Sequence, residues 1–150
     1  KLNKGGKMGK VLILYASRSN ETKSIAEIIA EGVRISGHEP DIKKTSQIKS
    51  EDDIKGYDGY IFGSATYHGE MITSMKQILF IAERAELKDK PGGSFGSYGW
   101  SGEAPGRIFD TMQHIYGMKM VSGPLMLKAS WVGGGIKAAQ DYGKSIAAMI

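Results

Sequence analysis

Short segments of apolar or alternating residues recur along most of the chain, and each one ends at turn-forming residues. Five of these segments predict β-strands. The predicted strands span Lys10–Ala16, Glu39–Lys43, Tyr57–Gly63, Pro91–Ser97 and Lys119–Leu127. The fifth contains Gly123-Pro124. A break is expected there, because glycine weakens a strand and proline lacks the N–H that a strand ladder needs.

Between and after these strands, apolar residues recur at the three- and four-residue spacing that is typical of amphipathic helices. The predicted helices span Thr22–Ser36, Glu70–Leu87, Glu103–Tyr116 and Gly135–Met149. The first helix carries its apolar residues on one side: Ile25, Ile28, Ile29 and Val33. Gly37 is predicted to end this helix.

Strands and helices alternate along the chain. This order predicts an α/β fold of three layers, in which a five-stranded parallel sheet lies between helices. Because crossovers between parallel strands are right-handed, few topologies remain, and we expect the strand order 2-1-3-4-5. Sheets of this kind bind ligands at the carboxyl ends of their strands, where the strand order reverses between strands one and three.

Three polar loops follow the first, third and fourth predicted strands and are therefore expected at that edge. The first loop, Ser17-Arg18-Ser19-Asn20-Glu21-Thr22, joins hydroxyl and amide side chains to the start of a helix. The unpaired N–H groups and the positive dipole end of that helix favour a bound anion such as a phosphate monoester. The same residue types are also common helix N-caps, so this loop alone does not distinguish a phosphate site from an ordinary helix start.

The second and third loops combine glycine with flat aromatic rings. They read Ser64-Ala65-Thr66-Tyr67-His68-Gly69 and Ser97-Tyr98-Gly99-Trp100-Ser101-Gly102. Glycine lets the backbone approach a ligand closely, and aromatic rings offer a stacking surface or merely cover the end of the sheet. A phosphate at one end and a stacked planar ring at the other describe a mononucleotide or flavin mononucleotide (FMN).

Composition narrows the remaining possibilities. The 150 residues include no cysteine, which excludes disulfides, thiolate catalysis and cysteine-bound clusters. Three of the 20 basic residues precede Met8, and the remaining 17 face 16 acidic ones, so a nucleic-acid partner is not expected. We expect residues 1–9 to be a tail or linker and residues 10–150 to form one domain. No apolar run is long enough to span a bilayer, and a cytoplasmic protein without membrane contact is expected.

Two glycine-rich motifs and the three histidines are interpreted as structural. Gly133–Ala138 matches a dinucleotide-binding fingerprint, but no acidic residue follows about 20 positions later, as that site would need. The segment Gly143–Ser145 lacks the earlier glycine of a P-loop. His38, His68 and His114 show no metal-ligand spacing, so no metal site is expected.

Taken together, the three loops resemble those of the flavodoxin-like family, and the likeness spans about residues 10–150. The first is similar to the family's hydroxyl-rich phosphate loop, with Asn20 where glycine is common. Gly63–Gly69 resembles a Gly-Ser-Pro-Thr stretch, with Ala65 in place of proline. Gly96–Gly102 is the most specific match and resembles the flavodoxin domain of flavodiiron (A-type) flavoproteins.

The resemblance implies an FMN-binding electron-transfer protein. The phosphate would be bound by Ser17, Ser19, Asn20 and Thr22, and the isoalloxazine ring would be enclosed by Thr66–Gly69 and Ser97–Gly102. The complete set of implied cofactor-binding residues is Ser17, Arg18, Ser19, Asn20, Glu21, Thr22, Ser64, Ala65, Thr66, Tyr67, His68, Gly69, Ser97, Tyr98, Gly99, Trp100 and Gly102. The resemblance implies neither a metal nor a catalytic side chain.

Whether the chain is itself an enzyme stays open at this point. The alternative to an electron carrier is an FMN-dependent NAD(P)H–quinone reductase, although no loop insertion of the kind common in those enzymes is present. A receiver-type signalling domain shares the topology but needs acidic residues where Ser17 and Arg18 stand. A redox partner protein of unknown identity is expected, and a homodimer is left open. Because diiron ligands are absent, reduction of oxygen or nitric oxide by this chain alone is not expected.

Overall fold

The computed structural model describes residues 8–16, 20–67, 70–98, 103–128 and 134–150. The strands are β1 (Lys10–Ala16), β2 (Glu39–Lys44), β3 (Gly59–Ser64), β4 (Thr66–Tyr67), β5 (Glu70–Met71), β6 (Pro91–Tyr98), β7 (Lys119–Met120) and β8 (Leu125–Lys128). The α-helices are α1 (Asn20–Ile35), α2 (Thr73–Ala82), α3 (Glu103–Asp110) and α4 (Gly134–Ala147). Short 3₁₀ turns at Thr45–Gln47 and Glu51–Asp53 connect β2 to β3.

The main sheet is parallel and has the order β2-β1-β3-β6, followed by β7 and β8. Phe95 of β6 pairs with Gly63 of β3 and with Leu125 of β8, so β8 lies on the side of β6 away from β3. β7 pairs with the first residues of β6. β7 and β8 are thus two halves of the predicted fifth strand, and the order 2-1-3-4-5 is confirmed.

The break between β7 and β8 coincides with the predicted Gly123-Pro124 interruption. At this break, the Tyr142 side chain of α4 forms hydrogen bonds with backbone groups on both sides. The Tyr142 hydroxyl accepts the Ser94 N–H at 3.0 Å and donates to the Gly123 carbonyl at 2.7 Å. Burial raises the pKa of Tyr142, which keeps the hydroxyl protonated and able to donate.

Helices cover both faces of the sheet, and alternate residues of each central strand pack against one face or the other. α1 and α4 cover the first face over a cluster that includes Val11, Ile13, Ile25, Ile29, Ile61, Phe95 and Ile146. α2 and α3 cover the second face over a cluster that includes Leu12, Leu14, Tyr60, Phe62, Met75, Ile108 and Met112. The sheet is therefore the middle of three layers.

The first helix begins at Asn20, two residues earlier than predicted, and ends where the sequence predicts. Gly37 has a φ of 88°, a left-handed conformation that glycine adopts without strain. Its N–H donates to the Arg34 carbonyl at 2.9 Å, and the next N–H, of His38, donates to the Val33 carbonyl at 3.2 Å. These are the two hydrogen bonds of a Schellman motif, which satisfies the last carbonyl groups of α1.

The predicted helix Glu70–Leu87 is wrong at both ends. Glu70–Met71 pairs in antiparallel fashion with Thr66–Tyr67 as a two-stranded hairpin, and α2 begins only at Thr73. The Ser64 hydroxyl accepts the Ile72 N–H at 3.0 Å and so holds the chain extended just before the helix. α2 ends at Ala82, and the chain then turns through Glu86, which has a φ of 59°.

The predicted helix Glu103–Tyr116 changes its pitch part-way along. α3 ends at Asp110, and a π-helical segment continues over Thr111–Ile115. The Tyr116 hydroxyl then donates to the Leu79 carbonyl at the end of α2 and joins the two elements. None of the helices within the described ranges is long and apolar enough to cross a membrane.

Candidate functional site

Three neighbouring strands end side by side at the carboxyl edge of the sheet. Ala16 at the end of β1 pairs with Ser64 at the end of β3. Gly63 pairs with Phe95, which brings Gly96 of β6 next to Ser64. A Cβ on Gly96 would overlap the Ser64 carbonyl, so β3 and β6 touch backbone to backbone there. The segments after β1, β3 and β6 therefore leave one edge at adjacent positions, as the strand order predicts.

The first segment leads into α1, whose first turn contains Asn20, Glu21 and Thr22. The first N–H groups of a helix have no partner within the helix and give its start a partial positive charge. Thr22 is completely buried, and its Oγ1 has no hydrogen-bond partner within the described part of the chain. A buried hydroxyl without a partner is costly, so this position fits a polar ligand group.

The second segment forms the β4–β5 hairpin, and the Ser64 hydroxyl fixes its base. This hydroxyl donates to the Ala65 carbonyl at 2.8 Å and accepts the Ile72 N–H at 3.0 Å. Ser64 and Ala65 are buried at the strand end, and Ile72 is partly buried. The Ser64 side chain therefore acts within the protein, and it holds the two ends of the hairpin together.

The third segment leads into α3, whose first turn is held by two side chains from elsewhere. Thr66 Oγ1 accepts the Ala104 N–H at 3.0 Å, and the Ser94 hydroxyl donates to the Pro105 carbonyl at 2.7 Å. Thr66 belongs to the second segment, so its hydrogen bond joins the second and third segments directly. Sequence reasoning missed Ser94. A hydroxyl in the otherwise buried run Gly92–Gly96 was the available signal, because buried hydroxyls need partners.

The described part of the site contains about half of the predicted cofactor-binding residues. Asn20, Glu21, Thr22, Ser64, Ala65, Thr66 and Ser97 lie at the carboxyl edge, as do the backbones of Tyr67 and Tyr98. The remaining predicted residues lie outside the described ranges: Ser17, Arg18, Ser19, His68, Gly69, Gly99, Trp100 and Gly102.

One charged group beside the second segment is balanced by two cations. The Glu70 carboxylate lies 3.3 Å from Lys76 Nζ on α2 and 3.8 Å from Arg107 Nη1 on α3. These side chains are about half exposed, so each pair contributes little to stability. Their effect at this edge is to offset the negative charge of Glu70. Across the described residues, no group of three or more His, Asp or Glu side chains is arranged to hold a metal ion.

Comparison with known proteins identifies the fold family. Residues 12–119 match the flavodoxin domain family. This chain belongs to that family. An archaeal flavodoxin superposes with a TM-score of 0.87 at 28% identity, covering 93% of this chain and 96% of the flavodoxin. The match confirms both the three-layer fold and the resemblance that the three loops carry.

The curated relatives are larger flavoproteins. A putative diflavin flavoprotein A 2 from Thermosynechococcus vestitus is 36% identical over 98 residues, which are 63% of this chain and 17% of that protein. An anaerobic nitric oxide reductase flavorubredoxin from Aliivibrio fischeri is 29% identical over 152 residues, which are 92% of this chain and 28% of that protein. The chain thus spans between a sixth and a third of these two relatives. FMN is the cofactor that this family and these relatives indicate.

Proposed function

We propose that the first turn of α1 holds the phosphate of FMN, that the second and third segments hold its ring, and that the chain passes electrons between redox partner proteins. The observation that carries the phosphate assignment is the buried Thr22 hydroxyl, which has no hydrogen-bond partner among the residues that the structure describes. Membership of the flavodoxin domain family supports the electron-transfer role.

The phosphate assignment follows from the donors around the start of α1. Phosphate oxygens accept hydrogen bonds only, and Thr22 supplies a hydroxyl donor at the start of α1, where the helix dipole is positive. Asn20 adds an amide donor at the first position of the helix. The dipole of α1 favours a dianion at the same place.

The ring assignment follows from the elements that flank it. The β4–β5 hairpin follows β3 and α3 follows β6, so both begin at the carboxyl edge of the sheet. The hydroxyl groups of Ser64, Ser94 and Thr66 hold the hairpin and the first turn of α3 in place. These elements would orient the ring and keep water from its edge. FMN, when bound, supplies the one- and two-electron chemistry, and the residues of this chain bind it and set its surroundings.

The phosphate assignment is tested by titrating FMN into the ligand-free protein and measuring the quenching of flavin fluorescence. Thr22→Val keeps the shape and removes the hydroxyl. We expect its Kd for FMN to rise about 10- to 100-fold, because a hydrogen bond to a charged group is lost. Thr111→Val is the matched control, since the Thr111 hydroxyl donates to the Arg107 carbonyl away from this edge. An unchanged Kd in Thr22→Val would exclude Thr22 from the phosphate site.

The alternative function, NAD(P)H–quinone reduction, is tested on the same FMN-loaded protein. An electron carrier requires a protein partner for fast reduction, whereas a reductase accepts hydride directly from the nicotinamide. We expect NADH and NADPH to bleach the flavin absorbance only slowly. Rapid bleaching by either nucleotide would favour the reductase.

A further inference from the structure

The two segments proposed to hold the flavin ring are tied to each other by one hydroxyl. Thr66 lies in β4, and Ala104 is the second residue of α3, 38 positions later. The Ala104 N–H is among the helix-start donors that have no partner within α3. It donates to Thr66 Oγ1 at 3.0 Å, so a residue of the second segment caps the helix that follows the third.

The first turn of α3 is held by Thr66 together with contacts to β6. Ala104 is fully buried, so its N–H is shielded from water while Thr66 is in place. The Ser94 hydroxyl on β6 donates a hydrogen bond to the neighbouring Pro105 carbonyl at 2.7 Å. A Cβ on Gly96 would lie 2.7 Å from the Pro105 ring, so α3 rests closely on β6. The first turn of α3 is thus fixed to the sheet by Ser94 and to the hairpin by Thr66.

We propose that Thr66 is a positioning residue that makes the second and third segments a single ring-binding unit, separate from the phosphate site at Thr22. This proposal rests on the proposed function, because it concerns the same FMN site. Thr66 acts through α3, because its hydroxyl oxygen accepts a hydrogen bond from the first turn of that helix.

The separation of the two halves predicts a specific pattern of affinities. Riboflavin has the ring of FMN and lacks the phosphate. Thr66→Val should raise the Kd for FMN and for riboflavin by the same factor, about 10-fold, as expected when a helix cap is lost. Thr22→Val should raise the Kd for FMN and leave the Kd for riboflavin unchanged. A general loss of stability would not separate the two ligands in this way.

The experiment combines these titrations with amide hydrogen exchange of the ligand-free protein. We expect the Ala104 amide to exchange at least about 10-fold faster in Thr66→Val, because its acceptor is removed. Thr66→Ser keeps the hydroxyl and should restore both exchange protection and flavin affinity. Thr111→Val is the control that removes a hydroxyl from the continuation of α3. If Thr66→Val does not fold, Thr66→Ala removes the same acceptor without adding a methyl group in a polar position.

Each outcome decides one question. Faster Ala104 exchange with equal weakening of both flavins, reversed by Thr66→Ser, supports the proposal. Unchanged Ala104 exchange, unchanged flavin affinity, or weakening of FMN without riboflavin overturns it while leaving the proposed function intact. A wild-type protein that binds neither flavin overturns the proposed function itself, and Ala104 exchange then still reports whether Thr66 caps α3.

Discussion

The two faces of the sheet are covered in different ways. On the first face, α1 and α4 touch backbone to backbone: a Cβ on Gly32 would overlap the Gln140 carbonyl, and a Cβ on Gly143 would overlap the Ile29 carbonyl. Each helix thus offers a glycine to a carbonyl of the other. Such contact leaves no space for adjustment, because neither a carbonyl nor a Cα can rotate away.

The second face is covered by side chains. α2 and α3 are short. Long apolar residues, among them Met75 of α2 and Met112 of the π-helical segment after α3, fill the space over the sheet. Between the two helices lies a groove of about 610 Å³, lined by residues that include Glu70, Leu79 and Tyr116. Phe80 and Ile115 at this groove are 72% and 63% exposed. Flexible side chains cover this face less completely.

The difference bears on the two halves of the proposed FMN site. The phosphate half belongs to α1 and therefore to the face where helices meet through glycine. The ring half belongs to the hairpin and α3, on the face where side chains fill the space and individual hydroxyls hold the elements in place. We therefore expect substitutions at the helix contacts of the first face to lower the free energy of unfolding strongly, and substitutions on the second face to lower it less.

The largest effect is expected for Gly143→Ala on the first face. Glycine to alanine within a helix normally stabilises a protein by up to about 1 kcal/mol. Here the added methyl group meets a backbone carbonyl, and we expect a loss of about 3 kcal/mol in the free energy of unfolding. Urea denaturation measures the change.

Gly106→Ala in α3 is the matched control for that substitution. Among the described residues outside the backbone of α3, no atom lies within 4 Å of a Cβ at Gly106, so the usual helix preference for alanine should prevail. We expect Gly106→Ala to be as stable as the wild type or up to about 1 kcal/mol more stable. Equal effects at positions 106 and 143 would contradict the distinction between the two faces.

An intermediate effect is expected for Tyr142→Phe, which removes the hydroxyl that bridges the broken fifth strand. The Ser94 N–H and the Gly123 carbonyl would each lose a partner. Ser94 is fully buried, whereas Gly123 is partly exposed. Because an unsatisfied buried donor costs about 1–3 kcal/mol, we expect a loss of stability in that range from urea denaturation. Ser145→Ala serves as the control on α4, since the exposed Ser145 hydroxyl bonds only to the Asp141 carbonyl one turn earlier. A loss no larger than that of the control would show that the bridge is dispensable.

The smallest effect is expected for Phe80→Ser at the groove. Because the Phe80 side chain is mostly exposed, its removal should change the free energy of unfolding by no more than about 0.5 kcal/mol. Thermal and urea unfolding both measure this. A large loss would mean that the second face relies on Phe80 for packing, and the contrast between the faces would then be weaker than described.

The sequence contained enough to predict the layers and the strand order. The buried run of β1, the glycine stop at Gly37 and the break at Gly123-Pro124 are local signals, because each is carried by residues that neighbour one another. The position of the site followed from the fold, since parallel strands end at one edge. The family resemblance added the cofactor.

What could not be predicted depends on contacts between distant residues. The sequence predicts a helix from Glu70, because Met71 and Met75 have helical spacing, but Glu70–Met71 forms strand β5. There the chain instead pairs with β4, and the Ile72 N–H donates to the Ser64 hydroxyl eight residues earlier. The cap from Thr66 to Ala104 and the pairing of Gly32 with Gln140 likewise join residues that the sequence gives no reason to associate.

The most direct test of the account is the stoichiometry of FMN on the purified chain, from its visible absorption spectrum before and after addition of FMN. The account predicts a yellow protein, or one that turns yellow with added FMN, and saturates at one FMN per chain. A chain that remains colourless and leaves the fluorescence of added FMN unchanged would contradict the account.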